Sequence, residues 1–272
     1  MLVLIGPPFS GSEDEYGRIA QVAGLLPYEL KTKLKPGAWG VIKAIAAPEQ
    51  AEALGRQLRD QGFRVAVVDT AVAADPGRMF VPLRALELGE NSLVLHLSER
   101  SMPIPYRALL TIVRGEVQLG SRQRSRPASS STFRAVVPEA GVELAAATQL
   151  DAFAAADLHF ATVLWAARID ARAFDFSILG QASGGAQDLD RLVDYLAERI
   201  GVRVDRASRV SSVASFTGAA GPPRTPTPMP GSPPQSRKEV PERFDAYSRL
   251  VAEAERDAQR HARTSTRPPP PV

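Results

Sequence analysis

The 272 residues predict an α+β protein made of two small units and a proline-rich tail. Three observations carry this expectation. The first 70 residues alternate short apolar runs with amphipathic stretches bounded by Gly and Pro. Residues 83–216 hold apolar runs separated by turn sequences and close on one strong helical pattern. Beyond Phe216 lie 12 of the 23 prolines, a density that cannot build a core.

Leu2-Val3-Leu4-Ile5 reads as a strand, and Gly6 to Gly11 as the turn after it. Ser12-Glu13-Asp14-Glu15 fits a capping box: Ser12 caps a helix of about Glu13 to Ala23, and Glu15 reaches back to its backbone. Gly24 ends that helix, and Pro27 suits the first position of a short second one. Trp39 to Ala46 is a second strand, with Val41, Ile42 and Ile45 as its apolar content. Pro48 opens a third helix, Ala51, Leu54 and Leu58 sharing one face, and Gly62 stops it. Arg64 to Asp69 is a third strand, whose Val65-Ala66-Val67-Val68 is too continuously apolar for an exposed edge.

The order strand, helix, helix, strand, helix, strand over residues 1–70 resembles the C-terminal domain of the bacterial ribosomal stalk protein, and the related fold of the Clp-protease adaptor. The resemblance rests on Ala23-Gly24-Leu25-Leu26-Pro27-Tyr28-Glu29-Leu30-Lys31, similar to the stalk's Gly-Leu-centred helix junction, and on Pro48 to Asp69, similar to its closing helix and strand. It implies a fold. The stalk domain grips translation factors with basic residues on its first two helices; at the matching positions this chain has Gly17, Ala20 and Tyr28, and only Glu29 and Lys31 agree.

A linker at residues 71–82 leads to the second unit. Strands are expected at Arg84 to Leu88, Ser92 to Leu97 and Met102 to Val113, with turns at Gly89-Glu90-Asn91 and Ser98-Glu99-Arg100-Ser101. More follow near Thr132 to Val137, Leu158 to Ala166 and Asp175 to Leu179. Asp188 to Ile200 is the clearest helix, with Leu189, Leu192, Val193, Leu196 and Ile200 on one face and Gly201 as its stop. Such a set suits a pleckstrin-homology-type barrel closed by a late helix, or an α+β sandwich of another topology. In the tail, residues 217–272, a helix is expected at about 240–263, carrying Phe244, Tyr247, Val251, Ala254 and Ala258 at helical spacing. A helix with a single apolar stripe is marginal alone in water. It either docks on the body or is held on a disordered tether for a partner.

Composition narrows the function classes. There is no cysteine, and His96, His159 and His261 fit no zinc spacing. The tail holds nine Lys+Arg and six Asp+Glu, which leaves the body with 24 of each sign and no overall field for nucleic acid. The basic cluster Arg122, Arg124 and Arg126 lacks interleaved aromatics. Neither a signal peptide nor a membrane span is expected, and the arginine- and alanine-rich usage suits a GC-rich bacterial genome.

Chemical motifs are near misses. Gly6-Pro7-Pro8-Phe9-Ser10-Gly11-Ser12-Glu13 has the glycine spacing of a phosphate-binding loop, but Ser12 stands where the lysine belongs and Glu13 where the metal-holding hydroxyl belongs. The carboxylates of Glu13, Asp14 and Glu15 already use the positive end of the helix that follows. Gly180-Gln181-Ala182-Ser183-Gly184 puts its serine one place late for a nucleophile elbow. Asp188 and Asp190 suit a helix start, and Tyr106 and Arg107 could line a groove or simply pack. The sequence therefore predicts a non-enzymatic cytoplasmic adaptor with no catalytic residue, cofactor or metal. Its stalk-like first unit or its barrel would bind another protein, and the tail helix would add a second contact through Phe244, Tyr247, Val251 and Ala254. Two alternatives stand beside it: nucleotide binding through residues 6–13, and RNA or ribosome association through Arg122, Arg124 and Arg126.

Overall fold

A computed structural model describes residues 1–118, 152–206 and 243–265. Strand β1 (Leu2–Gly6) runs between β2 (Gly40–Ala44) and β3 (Arg64–Val68), antiparallel to both, with Leu4 opposite Val41 on one side and Ala66 on the other. The two-residue period of a strand gives this sheet two apolar faces. Val3, Ile5, Ile42, Val65 and Val67 pack against α1 (Glu13–Ala23), α2 (Pro27–Lys33) and α3 (Pro48–Asp60). Leu2, Leu4, Val41, Ala66 and Val68 point the other way, into a separate cluster. The strand-helix-helix-strand-helix-strand order is the one the sequence predicts, element by element.

The second unit is one mixed sheet of seven strands. They are β4 (Phe80–Leu88), β5 (Ser92–Leu97), β6 (Ser101–Pro105), β7 (Leu109–Gln118), β8 (Ala152–Phe160), β9 (Ala166–Asp170) and β10 (Val204–Arg206), in the order β10-β7-β8-β9-β4-β5-β6. The β4/β9 and β10/β7 pairs are parallel and the rest antiparallel. No pairing among the described residues joins β10 to β6. Among the described residues the order is that of an open mixed sheet, in which β9 returns beside β4 instead of continuing a meander. Helix α4 (Ala186–Ile200) packs Leu189, Leu192, Val193 and Leu196 against Ile112, Ala156, Leu158 and Ile169 on one face of it.

Other expectations shift for local reasons. The apolar run Met102 to Val113 is not one strand: Pro105 holds φ at −60° and starts a 3-10 turn, Tyr106–Ala108, between β6 and β7. Asp175 to Leu179 contains a 3-10 turn, Ser177–Leu179, and no strand, since Asp175 accepts the Ser177 N–H at 2.9 Å and bends the chain. The 71–82 linker is structured. It contains most of a 3-10 turn, Thr70–Ala74, with Ala73 buried, and β4 begins at Phe80. The strand expected at Thr132 to Val137 lies outside the described residues.

Of the two readings of the C-terminal helix, α5 (Arg243–Ser265), the structure shows the docked one. It lies between the two sheets and joins their cores. Phe244, Tyr247, Leu250, Val251 and Ala254 share one cluster with Leu2, Leu4, Val41, Ala66 and Val68 of the first sheet and with Val113, Val117 and Ala155 of the second. Small residues permit this close approach. At Gly115 a Cβ would fall 2.3 Å from the Phe244 ring, and at Gly6 one would fall 2.6 Å from the Trp39 ring. The helix also covers the open edge of β3, where Asp257 Oδ2 accepts the Val67 N–H at 3.1 Å. An uncovered edge invites pairing with other chains.

Candidate functional site

The glycine-spaced loop after β1 does hold an anion, and it is the protein's own. Glu15 Oε2 accepts the N–H groups of Ser10 at 3.0 Å, Gly11 at 2.9 Å and Ser12 at 3.3 Å, and the Ser10 hydroxyl at 2.5 Å. Ser12 Oγ accepts the Glu15 N–H at 3.2 Å, which completes the capping box. Burial alone raises the Glu15 pKa, but the Ser10 hydroxyl and the N–H groups of Ser12, Ser10 and Gly11 outweigh it and hold the carboxyl below its ordinary value. A phosphate entering here must displace a carboxylate that already satisfies three backbone donors. Glu15→Ala is expected to cost about 1 kcal/mol, as other cap losses do. Because the folded pKa is lowered, the contribution is present above the ordinary carboxylate pKa and fades as pH falls through the folded value. Urea denaturation of both proteins at pH 7 and pH 3 checks this: the gap must narrow at the lower pH.

A second group has the residue types of a nucleophilic triad. On β8 the alternation Ala155-Asp157-His159 faces α5, and Ala156-Leu158-Phe160 faces α4. Asp157 binds Arg168 through two bonds of 2.7 and 2.8 Å, Ser248 Oγ lies 2.7 Å from Asp157 Oδ2, and His159 Nε2 lies 2.8 Å from Ser248 Oγ. Burial, then Arg256, Arg168, Arg78 and Arg249, drive the His159 pKa down to about 3, so the ring is neutral. Asp157, gripped by two Arg168 nitrogens, accepts the serine hydroxyl, so the serine oxygen must accept the His159 Nε2–H. A nucleophilic serine needs the reverse, with its proton pointing at the imidazole. Asp157, Ser248 and His159 are also sealed, none more than 2% exposed. Arg168 stacks on Phe80 at 3.9 Å and binds Asp245 of α5 at 2.8 Å, so the group fastens the helix to the sheet.

On the other side of α5, Glu255 accepts the Trp39 Nε1–H at 2.9 Å and pairs with Arg64 at 2.5 Å and Arg203 at 3.5 Å. Beside it an open groove of about 530 Å³ is lined by Arg56, Arg59, Phe63, Arg64 and His261. Its cations are largely committed. Arg59 donates to the Val65 carbonyl and lies 3.6 Å from Asp257, while Arg64 serves Glu255 and the Pro7 carbonyl. Arg56 alone of the three arginines has no ion pair among the described residues.

Phe244, Tyr247, Val251 and Ala254, expected to meet a partner, are at most 6% exposed and are covered by the chain's own two sheets. Asp188 accepts the Ser183 and Gly184 N–H groups, both at 2.8 Å, before α4, whereas Asp190 reaches β7 and pairs with Arg114. The Tyr106 hydroxyl donates to the Gly89 carbonyl at 2.6 Å. Arg122, Arg124 and Arg126 lie outside the described residues. Among the described residues no cluster of His, Asp and Glu could hold a metal, and no helix is long and apolar enough to cross a membrane. The buried charges of α5 were missed because a polar face reads as a solvated one. Their signal was the continuous apolarity of β1 and β3, which requires a cover on both faces of the first sheet.

Comparison with protein families, curated proteins and solved structures returns no match.

Among the described residues the large apolar side chains left in solvent are few. Leu26 and Tyr28 are 66% and 76% exposed and flank Pro27 at the corner between α1 and α2; Met79, Leu164 and Tyr195 stand elsewhere.

Proposed function

We propose that this chain is a non-enzymatic cytoplasmic adaptor whose stalk-like first unit binds another protein through the α1–α2 corner. The observation that carries this reading is the exposure of Leu26 and Tyr28 side by side, on a corner that Pro27 stiffens. Tyrosine at such a site supplies a large contact area for little lost side-chain entropy. The corner also corresponds to the part of the stalk domain that the sequence resembles. Tyr28 replaces a basic residue there, so the partner meets an apolar contact and not a cationic one. On this reading α5 is a structural element, and the contact expected of Phe244, Tyr247, Val251 and Ala254 passes to the corner.

A photo-crosslinking amino acid placed at position 28 in living cells tests the proposal. The expected result is a discrete crosslinked heterocomplex, weakened by Leu26→Ser and absent when the crosslinker sits at exposed position 90. Surface changes of this kind alter stability by no more than about 0.5 kcal/mol, so the fold stays intact for the comparison. A crosslinker at position 28 that yields only monomer overturns it.

A further inference from the structure

Strand β10 carries Asp205 to a junction of three elements. Its Oδ2 accepts the Trp39 backbone N–H at 2.8 Å, and its Oδ1 lies 2.7 Å from the Tyr247 hydroxyl of α5. The same hydroxyl lies 3.2 Å from the Trp39 carbonyl oxygen. A phenol has one proton, and here it faces two acceptors. If the proton goes to Asp205, the Trp39 carbonyl loses its donor. If it goes to the carbonyl, two bare oxygens meet at 2.7 Å unless Asp205 supplies a proton of its own.

We infer that folding gives Asp205 a proton, donated from Oδ1 to the Tyr247 oxygen, which closes a three-bond ring through Trp39 and makes the ring a proton-dependent clasp on α5. In that ring the Trp39 N–H donates to Asp205, Asp205 donates to Tyr247, and Tyr247 donates back to the Trp39 carbonyl. Every polar atom named is then satisfied, in a site where Asp205 is 2% exposed.

The surroundings favour the neutral acid. The β7 residue opposite Asp205 is Val113, which is apolar and fully buried. From α5 the facing charge is Glu255, of like sign. Arg64 at the start of β3 and Arg203 before β10 are paired with Glu255. Arg206, the next residue, turns away to Asp190 and Asp194 of α4. Burial raises the Asp205 pKa to about 6 against the pull of the Tyr247 and Trp39 hydrogen bonds, and Glu255 adds to the rise. Burial likewise pushes Tyr247 well above its ordinary value, so the phenol keeps its proton.

The sign follows from the raised value. The stabilisation is complete below the ordinary carboxylate pKa of 3.8 and is lost as pH rises through about 6. That interval corresponds to roughly a hundredfold in the folding equilibrium, tenfold for each pH unit.

Asp205→Asn in the full chain tests the clasp, because the amide can accept from Trp39 with its oxygen and donate to Tyr247 with its nitrogen at any pH. Stability is measured by urea denaturation from pH 3.5 to pH 7.5. The two proteins are expected to match near pH 3.5, to diverge between about pH 4 and pH 6, and to keep a constant gap above that, with Asp205→Asn favoured by about a hundredfold at pH 7.5. Protection of the α5 amides relative to their intrinsic exchange rate should fall over the same range in the wild type only. A variant that fails to fold, or one less stable than wild type at pH 7.5, overturns the inference. So does a carboxyl-carbon NMR titration of the wild type that places Asp205 below pH 4; a midpoint near 6 supports it.

Discussion

A chain ending at Arg206 is expected to lose its cooperative fold. Without α5, the core loses Phe244, Tyr247, Leu250 and Val251, each at most 6% exposed. Burial of side chains this size is worth about 1.5–3 kcal/mol apiece. Their sum, roughly 6–12 kcal/mol, is of the same order as the whole net stability of a typical protein, about 5–15 kcal/mol. Leu2, Leu4, Val41, Ala66 and Val68 on one sheet, with Val113, Val117 and Ala155 on the other, would face water at the same time. Far-UV circular dichroism with ANS fluorescence reads the outcome: strong dye binding and a broad, shallow urea transition. A truncated chain that unfolds in one sharp transition, within about 2 kcal/mol of full length, would remove α5 from the core. Leu250→Asp should give the same phenotype as a point change, since it places an uncompensated charge at a site with no exposure. A truncated protein is therefore a poor probe of partner binding, because it exposes two new apolar faces that capture proteins indiscriminately.

The first unit was legible because local chemistry sets most of it. Ser12 and Glu15 cap α1, Gly24 closes it with φ at +64°, and Pro27 and Pro48 open the next helices. These are contacts between near neighbours in sequence, and a pattern of residues can encode them. Strand order in the second sheet is not of that kind. Pairing β9 with β4 in parallel joins residues more than 80 positions apart, and the apolar content of Phe80 to Leu83 and Ala166 to Ile169 suits many partners equally. The C-terminal helix falls between these cases. Its existence and its apolar stripe were legible at 240–263, close to the observed Arg243–Ser265. Its place was not, because Asp245, Ser248, Glu255 and Asp257 look like a solvated face until Arg168, Asp157, Arg64 and the edge of β3 are set against them. The continuous Val65-Ala66-Val67-Val68 run pointed to full burial. In the hydrogen-bond order β3 is nonetheless an edge, and α5 supplies the cover.

Those buried charges give the second large effect. Asp157→Ala is expected to destabilise the protein by about 3–5 kcal/mol, the usual loss when one partner of a buried pair is removed. Arg168 keeps Asp245 at 2.8 Å and the Phe80 ring at 3.9 Å, but loses both bonds of its bidentate pair. Ser248 loses its acceptor on Asp157. Removing both charges as Asp157→Ala/Arg168→Met should be milder than Asp157→Ala alone, because no buried charge is then left without its partner. Ser248→Ala, which deletes one neutral link, should cost only about 1 kcal/mol. Urea denaturation of the four proteins at pH 7 gives the ranking, and a cost below about 1 kcal/mol for Asp157→Ala would show that the pair is not a fastening. A catalytic origin for the same residues predicts the opposite sign for Ser248→Ala. Groups held for chemistry strain the fold around them, and removing one relieves the strain. A group that exists to hold α5 in place can only lose stability when a link is cut.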